Sequence, residues 1–426
     1  MVIHTVKQGE TIYSIAQMYK VGAGLILEIN GLDESDSLVV GQSILILFPE
    51  VTHRVGEGET LYSIARDYGV TVKELLRNNP SLIGRPYIRE DDEIVISYND
   101  QKSRTVETNG YAYPYVDDDI LIQSLPYMTY LSPFTYGITE EGGLVPLEDE
   151  ELIGFAENYS VMPLMHLSTL TKEGGFSNEL ASVVLNSPGA RANLVNAVKN
   201  TITQKGYGGI DIDFEFVFPQ DAEAYASFIQ QLRDTLSPMG LRVYSALAPK
   251  TSDTQKGNLY EGHNYQLIGD ASDAVLLMTY EWGYTYGPPM AVAPIGPVRQ
   301  VVEYALTHIP PQKIFLGIPN YGYDWTLPFV QGESRANSIS NPEAIALARR
   351  YGREILFDTA SMTPHFNYTD GSGREHEVWF EDVRSMQAKY NLVEEFSLKG
   401  MGYWNLMRPF KSNWSLLNAM FDIYSF

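Results

Sequence analysis

Three carboxyls fall on alternate residues of the stretch YGGIDIDFEFVFP, residues 207–219: Asp211, Asp213 and Glu215, with Ile210, Ile212 and Phe214 between them. On a β-strand that period puts the acids on one face and the apolar side chains on the other. Apolar residues on both sides of the stretch argue for burial, and burial makes neighbouring charges expensive. Same-face neighbours stand ~6.6 Å apart, so at an effective dielectric of about 20 each adjacent pair repels by roughly 2.5 kcal/mol. That is about two pKa units. The three acids are therefore expected to share a proton, with the driest member kept as an acid near neutral pH. A carboxylic acid so held can protonate a glycosidic oxygen. The competing reading is a half-exposed strand with a solvated acidic face.

Other chemistries find less support. The chain has no cysteine, which removes disulfides, thiolate zinc sites and cysteine nucleophiles together. Its seven histidines form no metal-spaced cluster, and Gly206-Tyr-Gly-Gly leads into a strand, whereas a phosphate-binding loop leads into a helix. No metal and no cofactor are expected. A formal charge of −23 repels phosphate backbones and anionic lipid surfaces, so neither nucleic acid nor membrane is an expected partner. The first residues lack a basic segment followed by an apolar one, and no run of about 18 apolar residues occurs, so no export leader or membrane span is expected.

The acids need a scaffold. Runs beginning at Tyr127, Val161, Gly208, Arg242, Ala274, Lys313 and Gly400 read as strands, and amphipathic segments closed by Gly or Pro lie between them. Strand–helix alternation over residues 106–426 predicts an α/β fold, a parallel sheet closed into a (β/α)8 TIM barrel, with one strand unplaced. The active site of such a barrel sits at the strand C-termini, the end towards which the acids climb. Polar, aperiodic residues 97–110 read as a linker, with the boundary set at 99–105.

Ahead of it an internal repeat appears: HTVKQGETIYSIAQMYKV from His4 recurs as HRVGEGETLYSIARDYGV from His53. Thr11 and Thr60 are placed as N-caps, Ile12, Ile15, Ala16 and Tyr19 keep helical spacing, and each copy closes on an apolar strand, giving two βααβ modules over 1–48 and 51–98. The paired Gly-Glu-Thr-hydrophobic-Tyr-Ser-Ile-Ala strings, each with a later asparagine, resemble the LysM module. That resemblance implies binding of N-acetylglucosamine-containing glycan, with Gly9, Thr11, Asn30, Gly58, Thr60 and Asn79 at the sugar loops.

The catalytic stretch has its own resemblance. GGIDIDFE at 208–215, Met278-Thr-Tyr280-Glu281, Gly317-Ile-Pro-Asn-Tyr321-Gly and Gly402-Tyr-Trp404 together resemble the family 18 glycoside hydrolases. The resemblance implies a retaining mechanism in which the substrate's own 2-acetamido group is the nucleophile. Glu215 would be the acid and base, Asp213 would hold the acetamide, Asp211 would hydrogen-bond Asp213, and Tyr280 would donate to the acetamide carbonyl. Trp404 would stack under the sugar, with Met278, Glu281, Phe216 and Tyr321 in the substrate cleft. Two positions depart from the pattern: Gly208 stands where it has an Asp, and Glu281 replaces an Asp. Residues between Tyr323 and Trp379 look like a shortened α+β insertion after strand seven. Paired LysM modules with this barrel and no leader resemble the spore-packaged members of the family. They imply cortex peptidoglycan as partner and a spore location; the sequence does not fix the oligomeric state, for which a monomer is the default expectation. A chitin-cleaving enzyme or a catalytically weak glycan-binding barrel is the alternative.

Overall fold

The computed structural model describes residues 1–85 and 87–426. Eight parallel strands form its centre: β1 (Thr105–Ala112), β2 (Tyr130–Pro133), β3 in two pieces (Met162–Pro163 and Met165–Ser168), β4 (Gly209–Asp213), β5 (Arg242–Leu247), β6 (Ala274–Leu277), β7 (Ile314–Pro319) and β8 (Gly400–Trp404). β8 pairs with β1, and the two pieces of β3 pair with β2 and β4 respectively, so the ring closes. Among the described residues no helix is long and apolar enough to cross a membrane.

The helix Pro188–Lys205 illustrates how the connections set the strands. Ser187 caps it through Ala190 N–H, Pro188 occupies the first turn, and Gly206 ends it at φ 76°. Leu194, Val198 and Ile202, four residues apart, are fully buried against the sheet, each worth about 1.5–3 kcal/mol. Gly206 then turns the chain directly into β4, whose Ile210 and Ile212 face the same core while Asp211 and Asp213 point inward.

The strand missing from the sequence reading is β1, which overlaps the end of the polar stretch 97–110 read as a linker. Its pattern, TVETNGYA, has no apolar alternation because its inward and flanking polar groups are satisfied internally. Thr108 Oγ1 donates to Tyr127 O at 2.7 Å, and Asn109 bonds Ser132 and Asp211. After β7 the chain builds a five-stranded antiparallel sheet (Gly322–Thr326, Asn337–Ile339, Leu356–Asp358, Thr363–Thr369, Glu375–Trp379) with the helix Asn341–Arg350 packed on it.

Both N-terminal modules are βααβ, with strands Val2–Thr5 and Ser43–Ile46 paired in the first, and Pro49–Arg54 and Glu93–Tyr98 in the second. They are not tethered on a loose linker. Ile29, Leu45, Leu47 and Ile83 are continuous with the barrel core. The buried Arg77 donates to Pro126 O, Ile423 O and Ser425 Oγ, so the second module holds the C-terminal segment and the barrel together. Arg349 and Arg384 reach Ser37 O and Gly41 O of the first module. The apolar faces that a sequence pattern assigns to a module's own core are here shared with the barrel's helices.

Candidate active site

The inward acids of β4 meet a cradle built by β1 and β2. Asp211 Oδ2 accepts from Tyr111 OH at 2.6 Å, Asn109 Nδ2 at 3.2 Å and Ser132 Oγ at 3.3 Å. Burial raises the Asp211 carboxyl to about 6, and these three donors hold it from rising further. Among the described residues Asp211 makes no hydrogen bond to Asp213; its partners are the three donors on Oδ2. Asp213 is buried, and its Oδ1 has no hydrogen-bond partner among the described residues. Burial first, then the charges of Glu215 and Asp211, push its carboxyl well up.

Glu215 lies two residues past the end of β4, where the chain leaves the barrel mouth. Its backbone is fixed by His263, whose Nε2 lies 2.9 Å from Phe214 O while Nδ1 accepts from Ala248 N–H at 2.9 Å. Those partners require an imidazole protonated on Nε2 alone, and burial pulls its pKa down to about 4. Burial raises the Glu215 carboxyl, and the charge of Glu281 raises it further. His166 stands with Nε2 3.7 Å from Asp213 Oδ2. Burial lowers it to about 3, so it faces Asp213 as a neutral ring and forms no ion pair.

Asp213 and Glu215 open into a cavity of about 650 Å³, lined also by Met278, Tyr280, Glu281 and Trp404. Trp404, at the end of β8, is braced by Phe134 with ring centroids 4.9 Å apart. Tyr321 sits in an adjoining cavity and donates to Glu281, as does Tyr323 at 3.0 Å. The structure thus brings together nearly all the expected cleft residues. Phe216 is the exception: it lines neither cavity, and its place in the register is that of the core-facing Ile210, Ile212 and Phe214. Among the described residues no three His, Cys, Asp or Glu side chains are grouped to hold a metal ion.

Gly208 has a neighbour that explains it. A Cβ there would lie 2.2 Å from Met162 Sδ and 2.3 Å from its Cγ. The place of a fourth acid is filled by a thioether, which packs with Tyr111, Tyr130 and Tyr244 below the site. Sequence reasoning missed Asn109, Tyr111 and Ser132: Asn109 fell in the polar stretch read as a linker, Tyr111 just past it, and Ser132 in a run read as a strand without a part in the site.

In the modules, Thr11 and Thr60 cap their helices as expected, and Gly9 and Gly58 take φ of 84° and 76° in exposed turns. Asn30 and Asn79 correct the sequence reading. Asn79 Nδ2 donates to Leu75 O and Val95 O and its Oδ1 accepts from Val95 N–H, and Asn30 makes the same three bonds to Ile26 and Leu45. Every polar atom of these amides pins a helix end to a strand, so neither side chain is free for a sugar. The aromatic surface near the caps is Tyr13 and Tyr62, 66% and 71% exposed.

The electrostatics predict a pH effect. Glu281 raises Glu215 by like charge, so Glu281→Gln lowers the Glu215 pKa. A general acid works only while protonated, so the alkaline limb of kcat moves to lower pH in that variant. An unshifted limb in the pH profile would refute the coupling.

Comparison with known proteins agrees with the geometry. The family model described as glycosyl hydrolases family 18 matches residues 164–408, and the LysM domain model matches 4–47 and 53–97. The cortical fragment-lytic enzyme of Bacillus subtilis (strain 168) is 40% identical over 429 residues, covering 99% of each chain. The crystal structure of the Bacillus megaterium QM B1551 spore cortex-lytic enzyme SleL superposes with a TM-score of 0.84 at 39% identity, covering 100% of this chain and 99% of that one. The corresponding Bacillus cereus structure gives 0.85 at 36%, covering 100% and 98%.

Proposed function

Because the chain belongs to the glycosyl hydrolases of family 18 and carries two LysM domains ahead of its barrel, we propose that it is a spore cortex-lytic glycosidase cleaving N-acetylglucosaminyl bonds of peptidoglycan fragments. The observation that carries the mechanism is the buried, unpartnered Oδ1 of Asp213 beside Glu215 at the cavity floor. A carboxylate oxygen left without a donor is costly, and a substrate acetamide N–H supplies one. Its carbonyl oxygen, polarised by Asp213 and held by the Tyr280 hydroxyl, attacks the anomeric carbon while Glu215 gives its proton to the leaving oxygen. Glu215, now a carboxylate, then takes a proton from the water that opens the cyclic intermediate, so configuration is retained. The LysM domains, docked on the barrel, present further glycan-binding surface at a fixed distance from the cleft. Names of full-length relatives support a spore and cell-wall setting.

Digestion of spore cortex fragments beside chitin oligomers, read by mass spectrometry, tests this reading. The expected products are cortex fragments ending in reducing N-acetylglucosamine. Cleavage of chitin oligomers with cortex fragments untouched would replace it with a chitin-cleaving enzyme.

A further inference from the structure

The second cavity, about 360 Å³, shares Trp404 and Glu281 with the catalytic one, so the two adjoin along those side chains. Its wall contains Tyr113 and Tyr115, stacked at 5.2 Å, and Arg408. Arg408 is the one cation among the residues lining either cavity; the other charged groups there are Asp213, Glu215 and Glu281. It is half-buried, and Nη1 and Nη2 donate to Ser338 Oγ at 3.0 Å and Ser338 O at 3.2 Å. The guanidinium has more N–H donors than these bonds consume.

No carboxylate of the described residues takes them up. Glu343 acts on Arg408 by charge but forms no ion pair with it, accepting instead from Ser340 N–H at the start of its helix, and Glu281 is held by Tyr321 and Tyr323. Desolvation lowers the Arg408 pKa, yet the group stays charged. Unlike the buried Arg77, whose guanidinium is taken up by Pro126 O, Ile423 O and Ser425 Oγ, Arg408 has N–H groups left over at the wall of a cavity. A planar guanidinium is suited to a ligand carboxylate, which it can bind through two parallel hydrogen bonds.

Granting the peptidoglycan reading, the ligand follows from the polymer's alternation. When N-acetylglucosamine fills the acetamide pocket, its neighbour is a muramic residue, whose lactyl ether ends in a carboxylate wherever neither peptide nor lactam caps it. We propose that Arg408 is a specificity-determining residue that pairs with the carboxylate of an acidic sugar bound beside the cleaved N-acetylglucosamine, over the Tyr113–Tyr115 platform.

The test is the ratio of kcat/KM for a glucosaminyl–muramic oligosaccharide with free lactyl carboxylates to that for an N-acetylglucosamine oligomer of equal length. Arg408→Gln is expected to lower the ratio about tenfold or more, chiefly through KM, the size of a charge-assisted hydrogen bond. Arg408→Lys recovers part of the loss. Methyl-esterifying the carboxylates must cost the unmodified enzyme a similar factor, a measurement independent of how the variants fold. An unchanged ratio in Arg408→Gln, or no penalty from esterification, overturns the proposal while leaving the hydrolase reading intact. An enzyme that cleaves the neutral oligomer and never the acidic one overturns both.

Discussion

Replacing Glu215 by glutamine is expected to lower kcat by about three orders of magnitude, within the range a positioned general acid contributes. The amide keeps the side chain's size and its place at the cavity, so glycan still binds, but it has no proton to give. The loss falls on kcat, with KM little changed, as for an interaction used only in the transition state. What makes Glu215 the acid is its surroundings: burial first, then the charge of Glu281, favour the protonated carboxyl. Release of reducing ends from cortex fragments, measured beside glycan binding, checks this. Undiminished turnover would remove Glu215 from the reaction.

Asp213→Asn is the second large effect, a loss of about 10²–10³ in kcat, the usual cost of removing one preorganised electrostatic partner of the transition state. The reason is again local. Asp213 Oδ1 has no donor among the described residues, and Asp211 Oδ2 is taken by Tyr111, Asn109 and Ser132. Burial and its acidic neighbours push Asp213 towards its protonated form in the free enzyme, so it is the positive, cyclised acetamide, with its N–H as donor, that favours the ionised carboxylate here. A substrate with its acetyl group removed tests the pairing, since it has no acetamide to hold. On that substrate the unmodified enzyme and Asp213→Asn should be equally slow, a non-additivity that signals two groups acting as one. If the two losses multiply, Asp213 serves the fold and not the acetamide.

Some of this was legible in one dimension. The alternation through residues 210–214 put two acids on one face and the apolar residues in the core, because a strand's side-chain period is fixed by its backbone. The duplicated Gly-Glu-Thr strings located both N-terminal modules and their caps, since a glycine at positive φ and a threonine N-cap are decided within a few residues. Local rules fail where a partner comes from afar. β1 escaped notice because Thr108 satisfies its hydroxyl on Tyr127 just ahead of β2, and Asn109 its amide on β2 and β4, which removed the apolar pattern that betrays a strand. Asn30 and Asn79 were misread for the converse reason: an asparagine in a loop looks free until the strand it ties down is folded beside it.

What the sequence by itself determined, then, is which residues carry the charge and which backbone period displays them. Only the tertiary structure decided how that charge is used. Asp211 gains its three donors from residues 79 to 102 positions away, and Met162 fills the space that Gly208 leaves open. Among the described residues the same closure leaves Asp213 Oδ1 without a donor and Arg408 without an ion pair. A side chain's type and period are set by its immediate neighbours, but its desolvation and its partners exist only once distant strands have closed around it.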